Sequence, residues 1–142
     1  MLKEKDYCDY ETCVALKELG FPQDYIFARY AKVDKWVDYT SHKKGDLIVS
    51  EDRFAFTVES ESIVAPLLYE AQKWLREEKK LIVLVGFDFC PIISEIVYNW
   101  VIVVKGNTVK KSSYTYDFFE EALSEGLRAA IKILKENETI HE

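Results

Sequence analysis

Apolar and polar positions follow two different periods along this chain, and the switches between them lay out its elements. The clearest helical stretch comes last. Phe119, Ala122, Leu123, Gly126, Leu127, Ala130, Ile133 and Leu134 recur at three- and four-residue spacing, which places them on one stripe of a helix. Thr115 or Asp117 is the expected cap, and with Asp117 in that role Glu120 completes a capping-box-like pair. Gly126 inside the helix costs about 1 kcal/mol relative to Ala, so a neighbouring element is expected to approach closely there. A second stripe, Leu67, Leu68, Ala71, Trp74 and Leu75, predicts a helix over 65–78. Pro66 suits its first turn, where a missing N–H costs nothing. Glu70, Lys73, Glu77 and Lys80 then face water. A first helix over 9–19 begins at Asp9 and carries Cys13, Leu16 and Leu19 on one face, with Val14 beside them. Gly20 and Phe21-Pro22 stop it, because glycine accepts left-handed geometry past a helix end and proline cannot continue the helix.

Period-two patterns fill the remainder. Residues 25–40 are strand material: Ile26, Ala28 and Tyr30 alternate with Phe27, Arg29 and Ala31, and Trp36 to Tyr39 follow a polar break. Thr40 to Asp46 is a polar turn or loop. Leu47–Val49 and Phe54–Val58 are the next strands, and Glu59 to Ser62 leads into the second helix. Leu81–Val85 is continuously apolar, so a central strand buried on both faces is expected. Trp100–Val104 is a further strand. Gly106-Asn107 offers a two-residue hairpin turn, and Thr108 to Tyr114 return as a polar partner whose lysines suit a sheet edge. Residues 86–99 carry the weakest pattern, with Phe89 to Ile93 as a bulged strand end and Ser94 to Tyr98 as a turn or short strand.

These elements predict an α+β fold. A mainly antiparallel sheet of about five to six strands packs against three helices (roughly 9–19, 65–78 and 117–135) in a single domain over 1–142. Residues 1–6 and 136–142 are expected to fray. One local parallel pairing is allowed where the second helix leads into Leu81–Val85.

Composition narrows the class. A chain of 142 residues with 49% apolar content supports one core and buries roughly two-thirds of its unfolded surface. The net charge of −6 disfavours phosphate backbones and anionic lipid, so neither nucleic acid nor membrane is an expected partner. Met1 to Asp6 lack the apolar segment of a signal peptide, and Leu81–Val85 is too short to span a bilayer. Three cysteines, an odd number without a C-x-x-C pair, fit free thiols in a reducing cytoplasm.

Ala65-Pro66, Ala71, Trp74 to Glu77 and the apolar strand after them, Trp100 in a hairpin, and Tyr116, Glu120 to Leu123, Gly126-Leu127 and Ala130 together resemble a group of small acidic α+β proteins. That group is uncharacterised and comes from gut anaerobic bacteria and their phages or prophages. The resemblance covers roughly residues 62–136. It implies a compact cytoplasmic domain with no assigned activity, and it carries no catalytic or binding residues over to this chain.

Candidate chemistry is sparse. His42 and His141 are the only histidines, and neither has partners at zinc-ligand spacing, so no metal is expected. No phosphate-binding glycine motif is present, and no cofactor is implied. Cys90, with Asp88 and Glu95 around it, is the best enzymatic or ligand-binding candidate, but Asp88 beside the thiol opposes thiolate formation. Tyr25, Phe27, Tyr30, Trp36 and Tyr39 crowd one segment, and Tyr98 and Trp100 another. Trp36, Tyr39, Tyr98 and Trp100 are the expected binding residues, since strand aromatics in excess of a core make interfaces. The expected function is a non-enzymatic, self-associating interaction module, with another protein as the other partner it could take. A small enzyme or ligand-binding domain at Asp88, Cys90 and Glu95 is the alternative. An acidic mimic of nucleic acid is a weaker third reading, because lysines are mixed among the carboxylates.

Overall fold

The computed structural model describes residues 3–23, 28–37, 40–49 and 62–141. Its helices are α1 (Tyr10–Glu18), α2 (Leu68–Glu78) and α3 (Phe119–His141), and its strands are β1 (Ala28–Ala31), β2 (Lys35–Val37), β3 (Thr40–His42), β4 (Leu47–Val49), β5 (Ser62–Val64), β6 (Leu81–Cys90), β7 (Glu95–Val104) and β8 (Asn107–Lys111). The α+β class and the three helices agree with the sequence. The single sheet does not: the described strands form a sheet β4-β1-β5, a ribbon β2-β3 and a sheet β6-β7-β8, with every pairing antiparallel. The expected strand Phe54–Val58 and residues Tyr25 to Phe27 and Tyr39 lie outside the described residues. The chain divides into two compact units, Met1–Leu67 and Leu68–Glu142.

In the first unit, Asp9 caps α1 by accepting from the Thr12 N–H at 2.8 Å, satisfying one orphan donor of the first turn. At the other end Gly20 has φ 102°. The Gly20 N–H reaches the Lys17 carbonyl and the Phe21 N–H the Leu16 carbonyl, the two bonds of a Schellman stop. Cys13, Leu16 and Leu19 are buried, as their spacing predicts. β1 is the central strand of its sheet, and all four of its residues are buried. Arg29 therefore sits inside, where a charge needs partners. Its guanidinium donates to Ser62 Oγ at 2.7 Å and to the Gln23 carbonyl at 3.0 Å. Tyr30 donates to the Cys8 carbonyl at 2.7 Å. Burial raises the acid pKa of both Cys13 and Tyr30 above their ordinary values. Thr40–His42 was expected in a polar turn or loop and is instead β3, paired with β2.

The second unit is one antiparallel sheet with two helices. β6 and β7 pair without a register break over ten rungs, from Leu81↔Val104 to Cys90↔Glu95. Four residues, Pro91 to Ser94, close that hairpin, and Ser94 takes a positive φ of 52°. The stretch 86–99 is thus a strand end, a turn and a strand start. The β7–β8 turn is Lys105-Gly106, with φ of 51° and 79°. Positive φ at both central residues is the type I′ geometry that matches strand twist, one residue earlier than expected. β8 is wholly exposed and occupies an edge, as its lysines predict.

β7, not β6, is the middle strand of this sheet, so the expectation for Leu81–Val85 is corrected. Leu81 and Val83 are buried, but Leu84 is 51% exposed. An apolar run on a strand does not by itself demand cover on both faces. α3 packs on the buried face. A Cβ on Gly126 would lie 2.8 Å from Val83 Cγ1 and 3.0 Å from Trp100 Cβ, so the close approach expected at this glycine is present. α3 also runs to His141, past the expected end near 135.

Candidate interaction surface

The β6–β7 hairpin offers two environments on one face. Side chains alternate along a strand, so Val83, Val85, Phe87 and Phe89 share a face with Ile102, Trp100, Tyr98 and Ile96 opposite them. Val83 and Trp100 lie under Gly126 of α3. The first residue of α3, Phe119, meets Tyr98 edge to face at 6.0 Å between ring centroids. The helix therefore begins level with the Phe87–Tyr98 rung, and the Phe89–Ile96 rung and the turn extend past it.

Those rungs are apolar and bare. Phe87 is 74% and Ile92 92% exposed, and Phe89, Ile93 and Ile96 are exposed as well. At about 200 Å² for a large apolar side chain, the five expose on the order of 600 Å². That is the upper end of the largest apolar patch on a typical monomer, about 300–600 Å².

The same segment has an open main-chain edge, which follows from the bonds on the other side of β7. Tyr98 exchanges both backbone bonds with Tyr116 at 2.8 Å. The Ser112 N–H donates to the Trp100 carbonyl at 2.9 Å, and the Trp100 N–H donates to Ser112 Oγ at 3.2 Å. The peptide groups of Tyr98 and Trp100 thus point away from β6. In an antiparallel ladder their partners Phe87 and Val85 must then point away from β7. Val83 confirms the alternation, since its carbonyl accepts from Gln72 Nε2 of α2 at 2.7 Å. At the distal end the Phe89 N–H is taken by the Asp88 carboxylate at 2.9 Å. Gln72 and Asp88 guard the two ends of the edge. Between them the Val85 and Phe87 peptide groups have no strand partner among the described residues.

The residues singled out from the sequence fall in several places. Trp36 lies in β2 and Tyr39 outside the described residues, both in the first unit. Tyr98 is half-buried against Phe119. Trp100 is only 6% exposed, fixed beneath Gly126 with its indole N–H 3.4 Å from Tyr116 Oη. Asp88, Cys90 and Glu95 do come together on one face: Cys90 is paired with Glu95, and Asp88 is two residues along from Cys90. Asp88 and Glu95 are exposed and Cys90 is half-buried. No group of three or more metal-ligating side chains occurs among the described residues. None of the described helices is long and apolar enough to cross a membrane.

The exposed set at Phe87, Phe89, Ile92, Ile93 and Ile96 is absent from the sequence reading. Its signal was the continued alternation Val83, Val85, Phe87, Phe89 past Gly86, followed by Ile92-Ile93 on a proline turn. No protein-family model, curated protein or solved structure matches this chain.

Proposed function

We propose that the chain is a non-enzymatic interaction module that self-associates, and that the distal end of the β6–β7 hairpin is its contact surface. One observation carries this reading: five large apolar side chains stand exposed on a single hairpin end beyond the helix that covers the rest of that face. Burying such a patch is favourable at roughly 25 cal/mol per Å² of apolar surface, before the losses of association. Cytoplasmic location and a bacterial or phage accessory role accompany the proposal and rest on the sequence resemblance and the free thiols.

Light scattering across a dilution series tests it. Mass is expected to rise towards twice the monomer with concentration, and Ile92→Asp is expected to return it to the monomer with an unchanged circular dichroism spectrum. A wild-type mass equal to the monomer at every concentration sinks the reading. The alternative, ligand or enzyme chemistry at Asp88, Cys90 and Glu95, is favoured by their shared face. It calls for a thiol-reactive probe to label Cys90 faster than a free cysteine.

A further inference from the structure

We infer that two copies of this chain join through β6 itself. The strands pair antiparallel about a two-fold axis at Phe87 to make one continuous sheet with the order β8-β7-β6-β6-β7-β8. This deepens the self-association reading and rests on it.

The geometry of the edge selects the partner. Only residues whose peptide groups point outward can bond to an added strand, and the unguarded ones are Val85 and Phe87. Antiparallel self-pairing about Phe87 sets Phe87 against its own counterpart and Val85 against Phe89 of the second copy. Every bonded pair then uses outward-facing residues on both strands. Phe89 joins by releasing its N–H from its neighbour's carboxylate. Side chains directly opposite share a face, so the exposed aromatics Phe87 and Phe89 of both copies meet on the side where α3 ends.

The opposite face also accommodates a second copy. In this register Asp88 stands across from Gly86, which has no side chain to obstruct it. The Asn99 amide lies over Gly86, its Oδ1 2.8 Å from where a Cβ would be. Its Nδ2 lies 4.0 Å from the same point, so a turn of the side-chain amide about its terminal bond would present the N–H donors to the incoming Asp88 carboxylate, a charge-assisted bond that a generic apolar strand would not make. Pairing about Phe87 also carries each turn toward the α2 flank of the other copy, where Gln72 marks the end of the open edge. Tyr69, one turn before Gln72 on the same helix face, is 60% exposed, so the turn isoleucines have an aromatic to pack on. The area is adequate as well: a stable interface buries about 800 Å² on each partner, and the hairpin end with Tyr69 approaches that before any polar atom is counted.

The edge mode is separable from self-association in general. Proline at an outward-facing edge position removes only a donor that has no strand partner among the described residues. Phe87→Pro is therefore expected to raise the dimer dissociation constant at least tenfold beyond Phe87→Ala, which removes the ring and keeps the N–H. Both variants should keep the wild-type circular dichroism spectrum. Residue-resolved amide exchange on the wild type gives a second readout that needs no variant. Val85 and Phe87 amides should gain protection as dimer forms, while Leu84 and Gly86, bonded to β7, stay protected at all concentrations. A dimer in which Phe87→Pro matches Phe87→Ala, or in which the Val85 and Phe87 amides exchange freely, overturns the edge mode and leaves self-association standing. A wild type that stays monomeric overturns both. A dimer whose affinity is unchanged by Asn99→Ala points to pairing in another register and overturns the axis at Phe87.

Discussion

The two halves of the β6–β7 hairpin both carry apolar side chains on the face that α3 packs against, and they meet different fates. Leu81 to Val85 with Trp100 to Val104 and Gly86 to Cys90 with Glu95 to Asn99 are both rich in aliphatic and aromatic residues on one uninterrupted register. One face of the first half lies beneath α3, where Gly126 lets helix and strand touch, while Leu84 on the other face stays exposed. The second half runs past Phe119 and stays bare. The difference teaches that alternation names the residues able to be buried, whereas the reach of the covering helix decides which of them are.

The largest test of this contrast is one truncation made in the covered half and again in the bare turn. Ile102 is fully buried and Ile92 is 92% exposed. Ile102→Ala is expected to cost about 2–5 kcal/mol through lost burial and a cavity. Ile92→Ala should stay within about 0.5 kcal/mol. Chemical denaturation of both variants checks it, and equal losses would mean that the hairpin end is already covered in the monomer.

A second test compares bare surface with the buried side chains of the first unit. Burial raises the folded-state pKa of Cys13 and Tyr30 above their ordinary values of 9.0 and 10.0. The folded state thus holds protons that the unfolded state gives up, and stability falls as pH rises. No penalty acts below the unfolded values. Above pH about 9 the Cys13 contribution should cost about 1.4 kcal/mol per pH unit, with Tyr30 adding its own share above about 10. Melting temperature followed from pH 7 to 11 should be flat and then drop, and Cys13→Ala should delay the drop.

A smaller effect is expected at the helix contact itself. Gly126→Ala gains about 1 kcal/mol of helix propensity but drives a methyl into Val83 and Trp100, an overpacking that costs about 1–3 kcal/mol. The net loss should be on the order of 1 kcal/mol. A stabilised variant would show that α3 lifts freely from the sheet. The smallest effect is at the β7–β8 turn. Lys105 holds a φ of 51°, where asparagine is better tolerated, so Lys105→Asn should raise stability by about 0.5 kcal/mol without altering self-association.

Much of the local structure was legible in the residues. Asp9 caps α1 and Gly20 ends it because both act within one turn of chain. The α3 stripe and the close contact at Gly126 could be read because helical spacing and a costly glycine leave little other explanation. The β8 edge was announced by its lysines. The candidate surface was legible only in part. Of the strand aromatics expected to bind, Trp100 proved to be core, and the exposed set lay in the stretch with the weakest pattern. A four-residue turn at Pro91 to Ser94, with a non-glycine residue at positive φ, carries no strong turn dipeptide, so the hairpin around it was hidden.

By itself the sequence determined the α+β class, the cap and stop of α1, and the residues able to enter a core. Each depends on interactions a few positions apart along the chain. Only tertiary structure decided that the described strands divide among separate sheets, that β6 lies at an edge among them, and that Phe87, Phe89, Ile92, Ile93 and Ile96 remain uncovered. Strand order and helix reach are set by contacts between residues distant in sequence, and a two-residue period is identical on a covered face and on a bare one.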